Sequence, residues 1–157
     1  DKPFQKGDFI IIGEDMGTID HIGLKTTRIA TLQGEELVVS NKELTETRIH
    51  NFKKMQRRRV LFTVGVTYDT SLPKMKKAIE LIEGVLEETD MVSKERVHFK
   101  EFGDSSLNIE VVYYVNSNEY QTYMDKQEAI NLGIKRAFTK ANIEMAFPTR
   151  TLYMKQE

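Results

Sequence analysis

Residues 60–73 read Val60-Leu61-Phe62-Thr63-Val64-Gly65-Val66-Thr67-Tyr68-Asp69-Thr70-Ser71-Leu72-Pro73, and they decide the fold of the larger part of the chain. Val60, Phe62, Val64 and Val66 alternate with Leu61, Thr63, Gly65 and Thr67, the period of a strand with one strongly apolar face. Asp69-Thr70-Ser71 then offers N-cap oxygens, and Pro73 suits a first helical turn, where its missing N–H costs nothing. Leu72, Met75, Ile79, Ile82 and Leu86 follow at spacings of three and four and trace one apolar stripe on a helix of about five turns. Gly84 weakens that helix slightly.

Downstream, Arg96–Phe102 reads as a second strand and Gly103-Asp104-Ser105-Ser106 as a hairpin turn. Leu107, Ile109, Val111, Tyr113 and Val115 alternate along a third strand, which sends the adjacent Tyr113 and Tyr114 to opposite faces. Asn118 with Gln121 has the spacing of a capping box. Tyr123, Gln127, Ile130, Ile134, Ala137, Phe138 and Ala141 then mark a second amphipathic helix, which Asn142 ends in a left-handed turn. Ile143–Phe147 reads as a short extended piece broken by Pro148, and Thr151–Met154 as a last strand. The order from residue 60 onward is β-α-β-β-α-β, the ferredoxin-like arrangement of two helices on one face of an antiparallel sheet.

Upstream, residues 7–52 read as short strands between turns: Phe9–Ile12, Thr18–Leu24, Thr27–Leu32, Glu36–Val39 and Arg48–Phe52, with Asn41–Thr45 polar enough for a single helical turn. Strands this short at this spacing indicate a small barrel or sandwich. Lys53-Lys54-Met55-Gln56-Arg57-Arg58-Arg59 is the candidate linker. The expected organisation is α+β: a small all-β domain over 1–56, an α/β domain over 57–148, and a C-terminal strand within 149–157.

Composition narrows the chemistry. The 157 residues are 39% hydrophobic and 30% charged with a net charge of -1, a folded chain with no global field toward nucleic acid or an anionic membrane. There is no cysteine, which removes disulfides, thiolate metal sites and a cysteine nucleophile. His21, His50 and His98 fall in three separate strands, whereas a zinc site needs three or four convergent ligands; all three are expected on sheet surfaces. No Gly-x-Ser-x-Gly elbow, phosphate loop or dinucleotide fingerprint is present. No enzyme, metal or cofactor is expected. No apolar run approaches the roughly 20 residues that span a bilayer. The chain opens Asp1-Lys2-Pro3, without an initiator Met or a signal-peptide pattern, and is expected to be part of a longer polypeptide whose preceding portion holds the membrane segments.

A set of short motifs, in order over residues 3–148, resembles the cytosolic region of small-conductance mechanosensitive channels. Pro3-Phe4-Gln5-Lys6-Gly7-Asp8 is similar to the family's entry to that region, and Gly17-Thr18-Ile19, Ile22 and Thr26-Thr27-Arg28 to its next stretch. Gly34, Val38-Val39-Ser40-Asn41 and Leu44 follow, then Ile49, Asn51-Phe52 and Arg58-Arg59. Val66, Tyr68-Asp69-Thr70 resembles the entry to the first helix, Gly103, Ser105-Ser106-Leu107 the hairpin, and Phe147-Pro148 the close. One departure stands at Ser40, where the family pattern has Pro. Ser keeps an N–H and a free φ, so the loop carrying Asn41 is expected to be less fixed.

The resemblance implies a first domain of Sm-like type and a non-catalytic vestibule and assembly module at the cytoplasmic face of the membrane. It implies a heptamer joined through the strand Thr151, Leu152, Tyr153 and Met154, with ions and small osmolytes passing through, and contact with the membrane only through segments outside this chain. Gly7, Asp8, Gly17, Asn41, Asn51, Phe52, Tyr68, Asp69, Gly103, Ser106 and Pro148 are then the structural motif residues. Two other readings compete. The basic run 53–59 beside a small barrel is one way to bind RNA, although Phe52 is the only nearby ring and the recognition-module aromatics are missing. A small-molecule-sensing module rests on fold analogy alone.

Overall fold

The computed structural model describes residues 4–52 and 55–156; Pro3, Lys53 and Lys54, singled out above, lie outside them. The chain divides into two compact units, Asp1–Gln56 and Arg57–Glu157.

In the first unit the strands are β1 (Phe9–Ile12), β2 (Asp15–Ile22), β3 (Thr26–Thr31), β4 (Glu36–Ser40) and β5 (Ile49–Asn51), with the short helix α1 (Asn41–Glu46) between β4 and β5. They form one antiparallel sheet in the order β4-β3-β2-β1-β5. The expected barrel or sandwich is thus a single five-stranded sheet. Period-two alternation buries Ile10, Ile12, Ile19, Ile29 and Val39, and α1 adds Leu44 to the same cluster. Each such side chain stabilises the fold by about 1.5–3 kcal/mol. Strand β2 begins earlier than the sequence suggests, because Gly13, at φ 58°, turns the chain tightly enough to pair Ile12 with Asp15.

The second unit contains β6 (Arg58–Val66), α2 (Leu72–Glu88), β7 (Val92–Phe102), β8 (Leu107–Val115) and α3 (Tyr120–Lys140). The sheet is antiparallel in the order β6-β8-β7. Met75, Ala78, Ile82 and Leu86 of α2 and Ile130, Ile134 and Phe138 of α3 pack with Leu107, Ile109, Val111, Tyr113 and Val115 of β8 into one core. Leu72 is exposed, so the buried stripe starts at Met75. Ser71 caps α2, its Oγ accepting from Lys74 N–H at 3.4 Å. Asn142 takes the left-handed conformation at φ 56° after α3.

Three expectations differ from the structure. The helix α3 starts one position later than the Asn118–Gln121 spacing indicates: its N-cap is Glu119, which makes no side-chain cap bond. The fourth strand shrinks to a single antiparallel bridge, Val66 to Met145. It is held by Thr67 N–H to Glu144 O at 3.2 Å and Ala146 N–H to Gly65 O at 3.0 Å, and Pro148, with no N–H to give, follows two residues later. Thr151–Met154 belongs to no strand. A strand needs a ladder partner, and among the described residues of a single chain this segment has none.

Candidate functional site

The motif residues of the first unit form two part-buried locks. At the entrance, Asp8 is 5% exposed. Its Oδ2 accepts from Gln5 N–H at 2.9 Å and from Asn51 Nδ2 at 2.8 Å, tying the start of the sheet to β5. Gly7, at φ 90°, adopts the left-handed turn that a side chain disfavours and donates its N–H to Ile19 O at 2.8 Å. Phe52 meets Phe9 edge to face at 6.1 Å. Gly17 allows β2 and β3 to close: a Cβ there would sit 2.4 Å from Ala30 O.

The second lock is Asn41. Its Oδ1 accepts from Thr27 Oγ1 at 2.7 Å, its Nδ2 donates to Gly23 O at 2.8 Å and its N–H donates to Lys25 O at 2.8 Å. Thr27 is fully buried. Ser40 does not loosen this loop as expected. It is the N-cap of α1, its Oγ accepting from Glu43 N–H at 3.2 Å. The hydroxyl thus supplies a local anchor that proline would lack.

In the second unit the motif residues gather at one corner. Tyr68 donates its hydroxyl hydrogen to Gly103 O, joining the turn before α2 to the β7–β8 hairpin. Asp69 lies exposed in that turn, which Thr70 N–H closes onto Thr67 O at 3.1 Å. Gly103 N–H reaches Ser106 O at 2.7 Å, and Ser106 Oγ bonds Asn108 Oδ1 at 2.6 Å. Ser105 Oγ accepts from Thr149 N–H at 3.3 Å, one residue past Pro148. The hairpin therefore holds the root of the C-terminal segment. Beyond it Leu152, Tyr153 and Met154 are 71%, 95% and 91% exposed, and Phe147 before it is 77% exposed.

Of the basic run, Arg57, Arg58 and Arg59 are absorbed by the second unit. The Arg57 guanidinium lies 3.9 Å from the Tyr114 ring centroid, and Arg58 stacks at 5.1 Å on Tyr123 and 5.6 Å on Tyr120. Arg59 pairs with Glu95 at 2.8 Å, and Tyr114 hydroxyl donates to the same carboxylate at 3.1 Å. The Arg59 hydrogen bond holds the Glu95 carboxyl below its ordinary value. Cations already stacked and paired within the fold have little left for a phosphate backbone. His21, His50 and His98 are exposed on β2, β5 and β7, and no metal-holding group of side chains occurs among the described residues.

Sequence reading missed the polar centre of the helix-free face of the second sheet. Glu110, in the middle of β8, is 6% exposed. It accepts from Arg96 at 2.6 Å and Lys100 at 3.1 Å, and these hydrogen bonds hold its carboxyl below the usual range against the opposing effect of burial. Its signal was Glu110 itself, the one acid within the apolar run Ile109–Val115. On the opposite face Tyr113 is fully buried and donates to Gln127 Oε1 at 2.6 Å; burial pushes its hydroxyl pKa up.

A family model described as the C-terminal part of the mechanosensitive ion channel MscS matches residues 60–145, and one described as the mechanosensitive ion channel beta-domain matches residues 1–54. The small-conductance mechanosensitive channel MscMJ of Methanocaldococcus jannaschii is 40% identical over 158 residues, covering 100% of this chain and 45% of the relative. The large-conductance channel MscMJLR of the same organism is 41% identical over 162 residues, with the same shares. The chain thus spans about half the length of the curated relatives it matches. The closed-state crystal structure of Helicobacter pylori MscS has the same fold, with a TM-score of 0.83 at 22% identity over 99% of this chain and 60% of that one. No helix among the described residues is long and apolar enough to cross a membrane.

Proposed function

Because the chain belongs to the mechanosensitive channel MscS family, we propose that it is the vestibule and assembly module of a tension-gated channel, on the cytoplasmic side of the membrane. It performs no catalysis; ions and small osmolytes pass through the assembly it builds. The observation that carries this reading is the C-terminal segment. Leu152, Tyr153 and Met154 stand almost fully exposed, with no ladder partner among the described residues of their own chain. An exposed β-prone apolar strand is a hazard for a lone chain, and pairing with copies in a closed ring removes its edge. Thr151–Met154 then forms the oligomerisation strand of a heptamer, presented by the domain over 57–148, and the β domain over 1–56 packs as an Sm-like unit. In the second domain the bridge at Met145 lies where the fourth strand of a ferredoxin-like sheet belongs, beside β6. The motif residues Gly7, Asp8, Gly17, Asn41, Asn51 and Phe52 fix the first domain, and Tyr68, Asp69, Gly103, Ser106 and Pro148 aim the segment.

The test replaces the corresponding region of MscMJ with this chain and measures the mass of the purified protein by light scattering. A seven-copy particle is expected, and Leu152→Asp with Met154→Asp is expected to lower the assembled fraction. A single-copy particle at all concentrations would overturn the reading.

A further inference from the structure

A concavity of about 350 Å³ lies in the second unit where the end of β6, the C-terminal half of α3 and residues 143–149 meet. Its inner wall is apolar: Phe138 and Ile143, also in the core, are 1% and 5% exposed. Its lining carries one cation, Lys135, and one carboxylate, Glu144, beside the hydroxyl of Thr67. Neither charged side chain makes an ion pair or hydrogen bond among the described residues. Two exposed residues of unlike charge therefore line one small, partly apolar concavity without being spent on each other.

We propose that this concavity binds a small zwitterion of the ammonium–carboxylate kind carried by free amino acids, its carboxylate toward Lys135 and its ammonium toward Glu144. The selection is physical. A simple anion attracted by Lys135 is repelled by Glu144, a simple cation meets the reverse, and an uncharged solute desolvates both groups without replacing their water. Only a ligand carrying both signs satisfies both walls. The volume stands at the low end of small-molecule sites, which suits an amino-acid-sized body against Phe138 and Ile143. A bound zwitterion would bridge α3 to the segment that two backbone bonds, Thr67 N–H to Glu144 O and Ala146 N–H to Gly65 O, hold on β6. Occupancy would then stiffen the root of the exposed C-terminal segment, since a ligand that binds only while residues 143–149 lie on β6 stabilises that arrangement.

This inference does not depend on the channel reading, because binding is measured on the 157-residue chain alone. The experiment titrates L-proline into the isotope-labelled chain at low ionic strength, with acetate and pyrrolidinium as single-charge controls, and follows backbone amide resonances. Saturable shifts at Thr67, Lys135 and Glu144 are expected, with acetate and pyrrolidinium binding at least tenfold more weakly. Lys135→Met and Glu144→Gln, both surface changes, should each raise the proline Kd at least tenfold with the remaining spectrum unchanged. Hydrogen exchange at the Ala146 amide should slow on saturation. Shifts that never saturate, acetate binding as tightly as proline, or either variant binding like the parent would each overturn the proposal.

Discussion

The first unit turns its motif residues inward, and the second turns them toward an exit. Asp8, Asn41 and Asn51 spend their polar atoms on strands and turns of their own sheet, whereas Tyr68, Gly103 and Ser105 brace a hairpin against the root of an exposed tail. The contrast separates two kinds of motif residue. One kind specifies a fold, and its loss is felt in stability. The other braces an exposed segment, and under the proposed function its loss is expected to be felt in assembly.

The units can be followed separately. All six tyrosines lie in the second unit, so near-ultraviolet tyrosine signals report on that unit alone. The largest expected effect is Gly17→Val. A Cβ 2.4 Å from Ala30 O forces backbone to move, and a loss of about 3 kcal/mol is expected in the first unit. Far-ultraviolet circular dichroism should show an early transition while the tyrosine transition stays put. If both transitions fell together, the units would not be independent.

Asp8→Ala and Asn41→Ala come next, at about 2 kcal/mol each, because the first removes a buried carboxylate that accepts from Gln5 N–H and Asn51 Nδ2 and the second removes the acceptor of the buried Thr27 hydroxyl. Both should again spare the tyrosine transition. Ser40→Ala should cost about 1 kcal/mol through the lost cap of α1, read from the same far-ultraviolet melt. A destabilisation near zero would show that the hydroxyl is no anchor.

Glu110 tests the second unit through pH. Its folded pKa is lowered by Arg96 and Lys100. Its pairing therefore contributes stability above the unfolded carboxylate value and loses it as pH falls through the lowered folded value. The tyrosine melt of the parent should exceed that of Glu110→Gln at neutral pH, and the gap should close on acidification below the ordinary carboxylate range. A gap that persists at low pH would mean that packing, not charge, is what Glu110 supplies. The smallest effect on folding is expected from Leu152→Asp, within about 0.5 kcal/mol, because that side chain is 71% exposed.

Alternation made the strands legible: Phe9–Ile12 and Leu107–Val115 have the bounds that their patterns indicate. The three-and-four spacing did the same for α2 and α3. Less was legible where a partner far in sequence decides the outcome. Nothing local to Asp8 names Asn51, 43 residues on, as its donor. Ser40 looked like a loosened loop because its cap bond depends on α1 forming immediately after it. Glu110 drew no notice within its strand because its two cations come from β7, at least ten residues away. Thr151–Met154 has strand-like residues and no strand, since a ladder needs a second edge that one chain does not provide here.

The proposed function places this chain beneath a tension-gated pore. The most direct measurement is single-channel recording from membrane patches that carry MscMJ with its corresponding region replaced by this chain. Discrete currents that open with applied suction are expected, and they should be lost when Leu152→Asp and Met154→Asp are combined. A chimera that reaches the membrane in folded form yet passes no tension-dependent current would contradict it.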